Sequence, residues 1–481
     1  MSIRKSYRTN LRLKVHLMKL ILRVSFLLCM FLALSTSVAQ TIGGERVFNP
    51  DGVNCVSSEE YEIYHNAVAT NQEYLSREGL RLYQNNVSRS EQQVSFIWPV
   101  QQTDGFEYNS TWAISVYFDH DDTTGGLEDW NCGTRTYDTS SGYDHQGVDI
   151  FLWPFTWKQV EEEQTEIIAA AAGQIIYKND GSFDKNCTAG GNGQQWNAVF
   201  VEHSDGSIAW YGHMKNGSLT SKSVGDTVAQ GEYLGIVASS GNSTGPHLHF
   251  EVYDENNNLI DPYAGPCNDL NDTSWWADQK EYLNPGVNAA LTHTDLPDFV
   301  TCPEIEETFE STQFDPGDTV WFIGYFKDQA TGTSALNEVY DPSGDLFSSW
   351  DTSFNDDFIA SWWAQERTIS DETGEWTYVV TYNGESDTHT FNVGQLSLED
   401  QVFDEVRLFP NPTSDVVTIG APVPFKQITV RDAVGRTVLE YRDLNTISLE
   451  MDFSYLRTGI YFVTAEALDS DAQTLLRVLK K

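Results

Sequence analysis

Basic residues are scarce in this 481-residue chain: 29 lysines and arginines stand against 70 aspartates and glutamates, a formal charge of -41. A surface so acidic repels a nucleic-acid backbone, so nucleic acid is excluded as a partner. It also argues against simple electrostatic docking on anionic walls or membranes and fits salty, screened surroundings. Long apolar runs are missing after the N-terminal segment, and none reaches the ~20 residues that span a bilayer, so no transmembrane anchor is expected. Cysteine is sparse too, with 6 residues and no CxxC pair. A thiolate zinc site is therefore not expected.

What the N-terminus does contain is a basic stretch, Arg4, Lys5, Arg8, Arg12, Lys14, Lys19 and Arg23, followed by the apolar run Val24 to Leu34 and a small-x-small end, Ser37-Val38-Ala39. These are the parts of a secretory signal peptide over residues 1–39, with cleavage expected after Ala39; Met18 is an alternative start. Cys29 follows Leu28, which disfavours a lipoprotein. Its removal leaves Cys55, Cys132, Cys187, Cys267 and Cys302 in a compartment that permits disulfides, an odd number that allows at most two bridges. Domain membership suggests Cys132 with Cys187 and Cys267 with Cys302, although sequence cannot fix connectivity.

Length suggests roughly three folding units. Residues 40–91 hold one helix, from Ser57 to Arg77, with Tyr61, Tyr64, Val68 and Leu75 at helical intervals and Ser57-Ser58 available as a cap. It reads as a packing helix, with a prosegment that shields an active site as the alternative. Residues 92–265 change to short β-rich runs separated by glycine: Gln174 to Tyr177, Ala198 to Glu202, Ile208 to Tyr211, Leu234 to Ala238 and His247 to Val252. Such spacing indicates an antiparallel β domain. Residues 266–302, rich in Asn and Asp and carrying Pro285 and Pro297, suit a linker. Residues 303–397 show the runs and turns of a small Ig-like β-sandwich. Within it, Trp362-Trp363 reads as core, with sugar stacking the alternative. Residues 402–481 form a further small β-rich unit, so the whole chain is expected to be mainly β.

The chemistry-bearing residues lie in the first β domain. His145-Gln146-Gly147-Val148-Asp149, Trp210-Tyr211-Gly212-His213-Met214 and Gly245-Pro246-His247-Leu248-His249-Phe250 hold four of the chain's 10 histidines. Hydrolytic zinc needs three N/O ligands and an open position, and His145, Asp149 and His249 match that set. In an extended strand His247 and His249 point to one face, so one can bind metal while the other works on the substrate. Zinc activates water as a nucleophile near neutral pH and polarises the scissile carbonyl, so no serine or cysteine nucleophile is required. His213 and His247 can handle protons and stabilise the oxyanion, with the base unassigned between them. Tyr211 reads equally as an oxyanion donor and as a packed aromatic. The acidic run Asp119, Asp121, Asp122 and Asp129 reads as a solvated loop rather than a calcium site. His203 reads as a hairpin residue.

Taken together, HQGVDI, YGHM and GPHLHFEV resemble the HxGxDI, YxH and HLHFE segments of the lysostaphin-like, LytM-type zinc endopeptidases over about residues 94–265. That resemblance implies one zinc on His145, Asp149 and His249, catalytic His213 and His247, and cleavage of peptide bonds in bacterial wall cross-links. The insertion from about Leu152 to Thr165 and the Asn/Gly-rich loop containing Cys187 depart from the family's minimal form, so substrate specificity is not transferred. Likewise, FPNP at Phe409 and LxxGIYFV from Leu456 resemble the C-terminal sorting domain of the bacterial type IX secretion system. It implies passage through the periplasm and outer membrane, by way of that machinery, to a secreted or cell-surface location. The alternatives are a catalytically silent wall-binding or activator module and an extracellular protease for glycine-rich proteins. Phosphoryl carriage on histidine is disfavoured, since an exported chain has no evident phosphodonor.

Overall fold

The computed structural model describes residues 42–46, 54–83, 92–106, 108–139, 142–188, 195–299, 302, 305–394, 406–432, 435–468 and 473–481. The expected signal segment, with Cys29, lies outside them. Among these residues the chain is mainly β, with a helix α1 at Ser58–Arg77 and a single-turn-plus helix α2 at Thr156–Glu161, inside the Leu152 to Thr165 insertion. No helix here is long and apolar enough to cross a membrane.

The central sheet runs in the order Trp112–Val116, Val148–Leu152, His247–Tyr253, Ile208–Gly212, Ala198–His203, Gly173–Asn179 and Thr227–Val228, with Leu259–Ile260 also on His247–Tyr253. Every pairing is antiparallel. Period-two alternation sends Val148, Ile150, Tyr211, Leu248 and Phe250 into one core. An antiparallel sheet commonly leaves its other face wet. Here that face is also buried, because α1 lies on it and seats Tyr64, Val68 and Leu75 among Ile176, Trp196, Phe200 and Trp210. The helix starts where its cap dictates: Glu60 N donates to Ser57 Oγ at 3.2 Å and Ser57 N to Glu60 Oε2 at 2.8 Å, a reciprocal capping box. Asn71 Nδ2 then donates to Ile176 O at 2.8 Å, and Arg81 pairs with buried Glu202 at 2.5 Å.

The stretch expected as a linker instead contains the strand Gly286–His293, buried throughout and antiparallel to Thr319–Gln329. The amide nitrogen of its asparagine, which reads as a loop residue, finds acceptors inside the fold: Asn288 Nδ2 donates to Trp112 O at 2.9 Å and Trp153 O at 3.1 Å. The expected disulfides are also corrected. Cys132 bonds Cys267 and Cys187 bonds Cys302, with Cα separations of 5.1 and 5.8 Å. The chain after the peptidase strands folds back over them, and Cys267 N donates to Trp130 O at 3.1 Å, beside Cys132.

Strands Gly286–His293, Thr319–Gln329 and Phe358–Thr368 face the sheet Gln313–Phe314, Glu385–Val393, Gly374–Tyr382, Ser334–Tyr340 and Leu346–Ser353. Phe322, Phe326, Trp376, Tyr378 and Phe391 fill the sandwich between them. Trp363 packs on that core and donates to Gln329 Oε1 at 2.8 Å, while Trp362 packs on Phe299. The C-terminal unit is a sheet built on the long strand Val416–Asp432, with its own core of Val417, Ile419, Phe425, Ile428 and Val463.

One loop reading changes. Asp119 and Asp129 are buried, not solvated, and Asp129 accepts from the backbone of Asn131, Gly133 and Arg135 and from Tyr282 Oη at 2.7 Å. A carboxylate with that many donors organises its own loop. His203, also buried, ends its strand at the hairpin where its N–H donates to Ser207 O at 2.8 Å.

Candidate metal centre and active site

The five polar residues singled out by motif come together on the α1 side of the central sheet. Asp149 and His249 are direct cross-strand partners, and His247, two residues before His249, shares their face. His145 arrives from the loop just before Val148–Leu152, after Gly147 lets that loop pass against the neighbouring strand. A Cβ on Gly147 would sit 2.7 Å from Phe250 O and 2.8 Å from the His249 ring. His213 lies one residue past the end of Ile208–Gly212, where a left-handed backbone, φ 61°, turns it out of the strand. All five are buried, His247 being the most exposed at 3%.

Each imidazole has one nitrogen fixed by an acceptor on its outer side. His145 Nδ1 meets Tyr117 O at 2.7 Å, His213 Nδ1 meets Ser240 O at 2.6 Å, and His247 Nδ1 meets Gly245 O at 2.8 Å. His249 Nε2 meets Glu251 Oε2 at 3.0 Å. Carbonyl and carboxylate acceptors require N–H there, so the opposite nitrogens carry the lone pairs when the rings are neutral. Those of His145 and His249 converge with Asp149 Oδ1: His145 Nε2 to His249 Nδ1 is 3.3 Å, His145 Nε2 to Asp149 Oδ1 3.2 Å, and His249 Nδ1 to Asp149 Oδ1 2.9 Å. Donor atoms about 2.0–2.1 Å from a tetrahedral zinc lie about 3.3 Å apart, so this donor set fits the ion. Without a cation or bound protons between them, two lone pairs and a carboxylate would face one another in a dry site.

The electrostatics agree. Burial alone would raise the Asp149 carboxyl, but His145 and His247 outweigh it and hold it well below the usual carboxylate range. Burial alone would lower His145, yet Asp149 lifts it to about 9. His249 is raised well above the ordinary imidazole value, burial being overcome by Asp149, Cys55 and Glu251. These groups are poised to bind positive charge, whether as protons or as a metal that displaces them. His213 is lowered, first by burial and then by His247, whose ring centre is 4.3 Å away.

Sequence reasoning left Tyr211 open between two roles and missed other residues. Tyr211 pairs in register with Phe250, so it faces the opposite core, where its hydroxyl accepts from Ala170 N at 2.8 Å. It is the packed aromatic, not an oxyanion donor. Glu251 was missed, although its position two residues after His249 puts it on the same face and was a readable signal. The absence of a CxxC pair also drew attention away from a cysteine beside the site. Cys55, just ahead of α1, is buried, and its Sγ lies with the donor atoms of His145, Asp149 and His249, all within 4.8 Å of one another. Nothing local in the sequence around Cys55 marks it.

Residues 143–262 match peptidase family M23, and residues 407–478 match the secretion system C-terminal sorting domain. The chain is 38% identical over 108 residues to the DD-carboxypeptidase/endopeptidase Mpg of Neisseria meningitidis serogroup B, covering 22% of this chain and 20% of Mpg. It is 31% identical over 100 residues to the peptidoglycan DD-endopeptidase ShyC of Vibrio cholerae serotype O1, covering 21% and 22%. It thus spans about a fifth of the length of these curated relatives. Among solved structures, the catalytic domain of lysostaphin from Staphylococcus simulans is 29% identical, over 25% of this chain and 77% of that one, with a TM-score of 0.19. Residues 143–262 of this chain form a peptidase family M23 domain, and residues 407–478 form a secretion system C-terminal sorting domain.

Proposed function

We propose that the chain is an exported zinc metalloendopeptidase that hydrolyses peptide bonds in peptidoglycan cross-links, with one zinc held by His145, Asp149 and His249 and with His213 and His247 as catalytic histidines. The observation that carries the reading is the convergence of the two inward imidazole nitrogens and the Asp149 carboxylate at 2.9–3.3 Å, each ring fixed from behind. A zinc ion bound there supplies Lewis acidity, activating water and polarising the scissile carbonyl. Glu251 fixes the tautomer of His249, and Tyr117 O that of His145, so the ligands are oriented before the metal arrives. With their Nδ1 atoms fixed, His213 and His247 present Nε2 to the reacting centre. When neutral they accept a proton; when protonated they donate to the oxyanion or the leaving amine. The named activities of Mpg and ShyC support a peptidoglycan peptide as substrate. The sorting domain supports export by the type IX machinery through the outer membrane, to a secreted or surface location.

The test is digestion of defined muropeptides with mass-spectrometric readout, for the wild type, the chelated protein and His145→Ala. Cleavage in the wild type, lost in the other two, is the expected result. Cleavage that survives chelation or His145→Ala would refute the zinc mechanism.

A further inference from the structure

A metallopeptidase centre must expose the metal and keep one coordination position open, and this one does neither. The residue standing where an open position would lie is Cys55. Its Sγ is 3.0 Å from Tyr137 Oη and 4.0 Å from Asp149 Oδ2, and it also lies within 4.8 Å of the inward nitrogens of His213 and His247. A cysteine by itself would mean little. A second feature of the same pocket points to a ligand: buried His213 Nε2 has no hydrogen-bond partner among the described residues. The remaining described cysteines are committed to disulfides, whereas Cys55 is free.

The segment that carries Cys55 is fastened across the site. Asn54 receives hydrogen bonds from Thr139 Oγ1 at 3.0 Å and, through its carbonyl, from Asn242 Nδ2. Tyr61 Oη donates to Glu251 Oε2 at 3.1 Å, reaching the carboxylate that orients His249. Tyr64 stacks on Trp196 at 5.5 Å, and Trp196 in turn meets the His213 ring edge-on at 5.1 Å. Downstream, Gln174 Nε2 donates to Leu80 O at 2.8 Å, and Leu82 N to Gln174 Oε1 at 3.1 Å. A thiol at the metal position, a capped helix over the functional face and a latch at the helix's far end form one continuous cover.

We infer that residues 54–82 are an inhibitory strap and that the Cys55 thiolate is the fourth ligand of the zinc, which holds the docked state inactive and confines turnover to the minor undocked population. The inference deepens the proposed function and rests on its zinc site. Activation requires the strap to withdraw: the zinc–sulfur bond breaks, the thiolate takes up a proton, and the vacated position opens to water. A soft thiolate suits zinc and displaces the hard oxygen ligand that catalysis needs. In an exported enzyme that attacks wall peptides, such a cover would hold activity back during passage past the producer's own wall.

The test is zinc X-ray absorption on the full chain loaded with one equivalent of zinc, for the wild type, Cys55→Ser and Cys55→Ala, with cobalt substitution as a second readout. The expected wild-type spectrum contains one sulfur at about 2.3 Å, and the cobalt form shows a sulfur-to-cobalt charge-transfer band. In the variants the sulfur count falls from one to zero and the band disappears. A wild-type zinc shell of nitrogen and oxygen alone overturns the inference but leaves the three-ligand zinc site standing. Failure to bind zinc at all overturns both. Because the deciding spectrum is that of the wild type, a variant that fails to fold does not rescue the inference.

Discussion

Replacing Tyr64 by alanine should release the strap without touching any metal ligand. The Tyr64 ring is 1% exposed and meets four aromatic rings: Trp196 at 5.5 Å, Tyr177 at 5.7 Å, and Phe200 and Trp210 at 5.9 Å. Truncating a fully buried aromatic costs about 3–5 kcal/mol. All four of these contacts join α1 to the peptidase domain, three of them to sheet strands, so most of that cost falls on the docked state of the helix rather than on the sheet core. At 1.4 kcal/mol per factor of ten, the undocked population rises by about two to three and a half orders of magnitude. Hydrogen exchange read by mass spectrometry should show amides of Ser58–Arg77 exchanging faster by a comparable factor, while those of His247–Tyr253 stay protected. Muropeptide hydrolysis should rise with the open population. Tyr64→Phe, which keeps the ring, should change both little. Exchange in α1 that is unchanged, or that accelerates only in step with the central strands, would refute a separately releasable strap.

Three further outcomes follow from the same geometry. Glu251→Gln leaves His249 Nε2 without its carboxylate partner and should weaken zinc binding about 10–100-fold, measured against a competing chromophoric chelator. Gly147→Ala drives a Cβ to within 2.8 Å of the His249 ring and 2.7 Å of Phe250 O; overpacking of about 1–3 kcal/mol should displace that ligand, with a similar loss of affinity in the same assay. The sandwich should be acid-sensitive through two histidines. Burial, with a further push from Lys158, lowers His293 to about 3; burial, with His293, lowers His389 to about 4. His293 faces Thr308 O and Tyr325 Oη, and His389 faces Thr292 Oγ1 with Glu310 nearby, so neither has a close anion strong enough to restore its charge. Both stay neutral in the fold while the unfolded chain protonates near 6.5. Their contribution is therefore complete above about pH 6.5 and is lost as pH falls toward 4, by about 1.4 kcal/mol per unit for each histidine. Urea midpoints measured from pH 7 to pH 5 should fall by the equivalent of roughly 3–4 kcal/mol, and His389→Gln should reduce the slope.

What the sequence made legible was local. HQGVDI and GPHLHFEV carry their ligands within a few residues, and strand alternation alone places His247 and His249 on one face. The cap available at Ser57-Ser58 marked the start of α1 for the same reason. The features that escaped depend on the chain's return path. Cys55 is separated from Asp149 by 94 positions, and no spacing rule connects them. The disulfides span 135 and 115 positions, where only the packing of residues 266–302 on the peptidase strands decides the partner. Gly286–His293 read as linker because prolines and acidic residues flank it, and because its buried Asn288 finds acceptors that only the folded chain supplies. Tyr211 stayed open between two roles because its spacing of two residues from His213 decides nothing: His213 has already left the strand, so the alternation does not carry across.

The most direct test of the zinc reading is metal content measured alongside turnover. Full-length protein dialysed against excess zinc should retain one zinc per chain by elemental analysis. His145→Ala, Asp149→Ala and His249→Ala should each reduce that to near zero, while His213→Ala and His247→Ala should keep the metal and lose muropeptide hydrolysis. Retention of stoichiometric zinc by the ligand variants, or undiminished hydrolysis by His213→Ala and His247→Ala, would contradict the account.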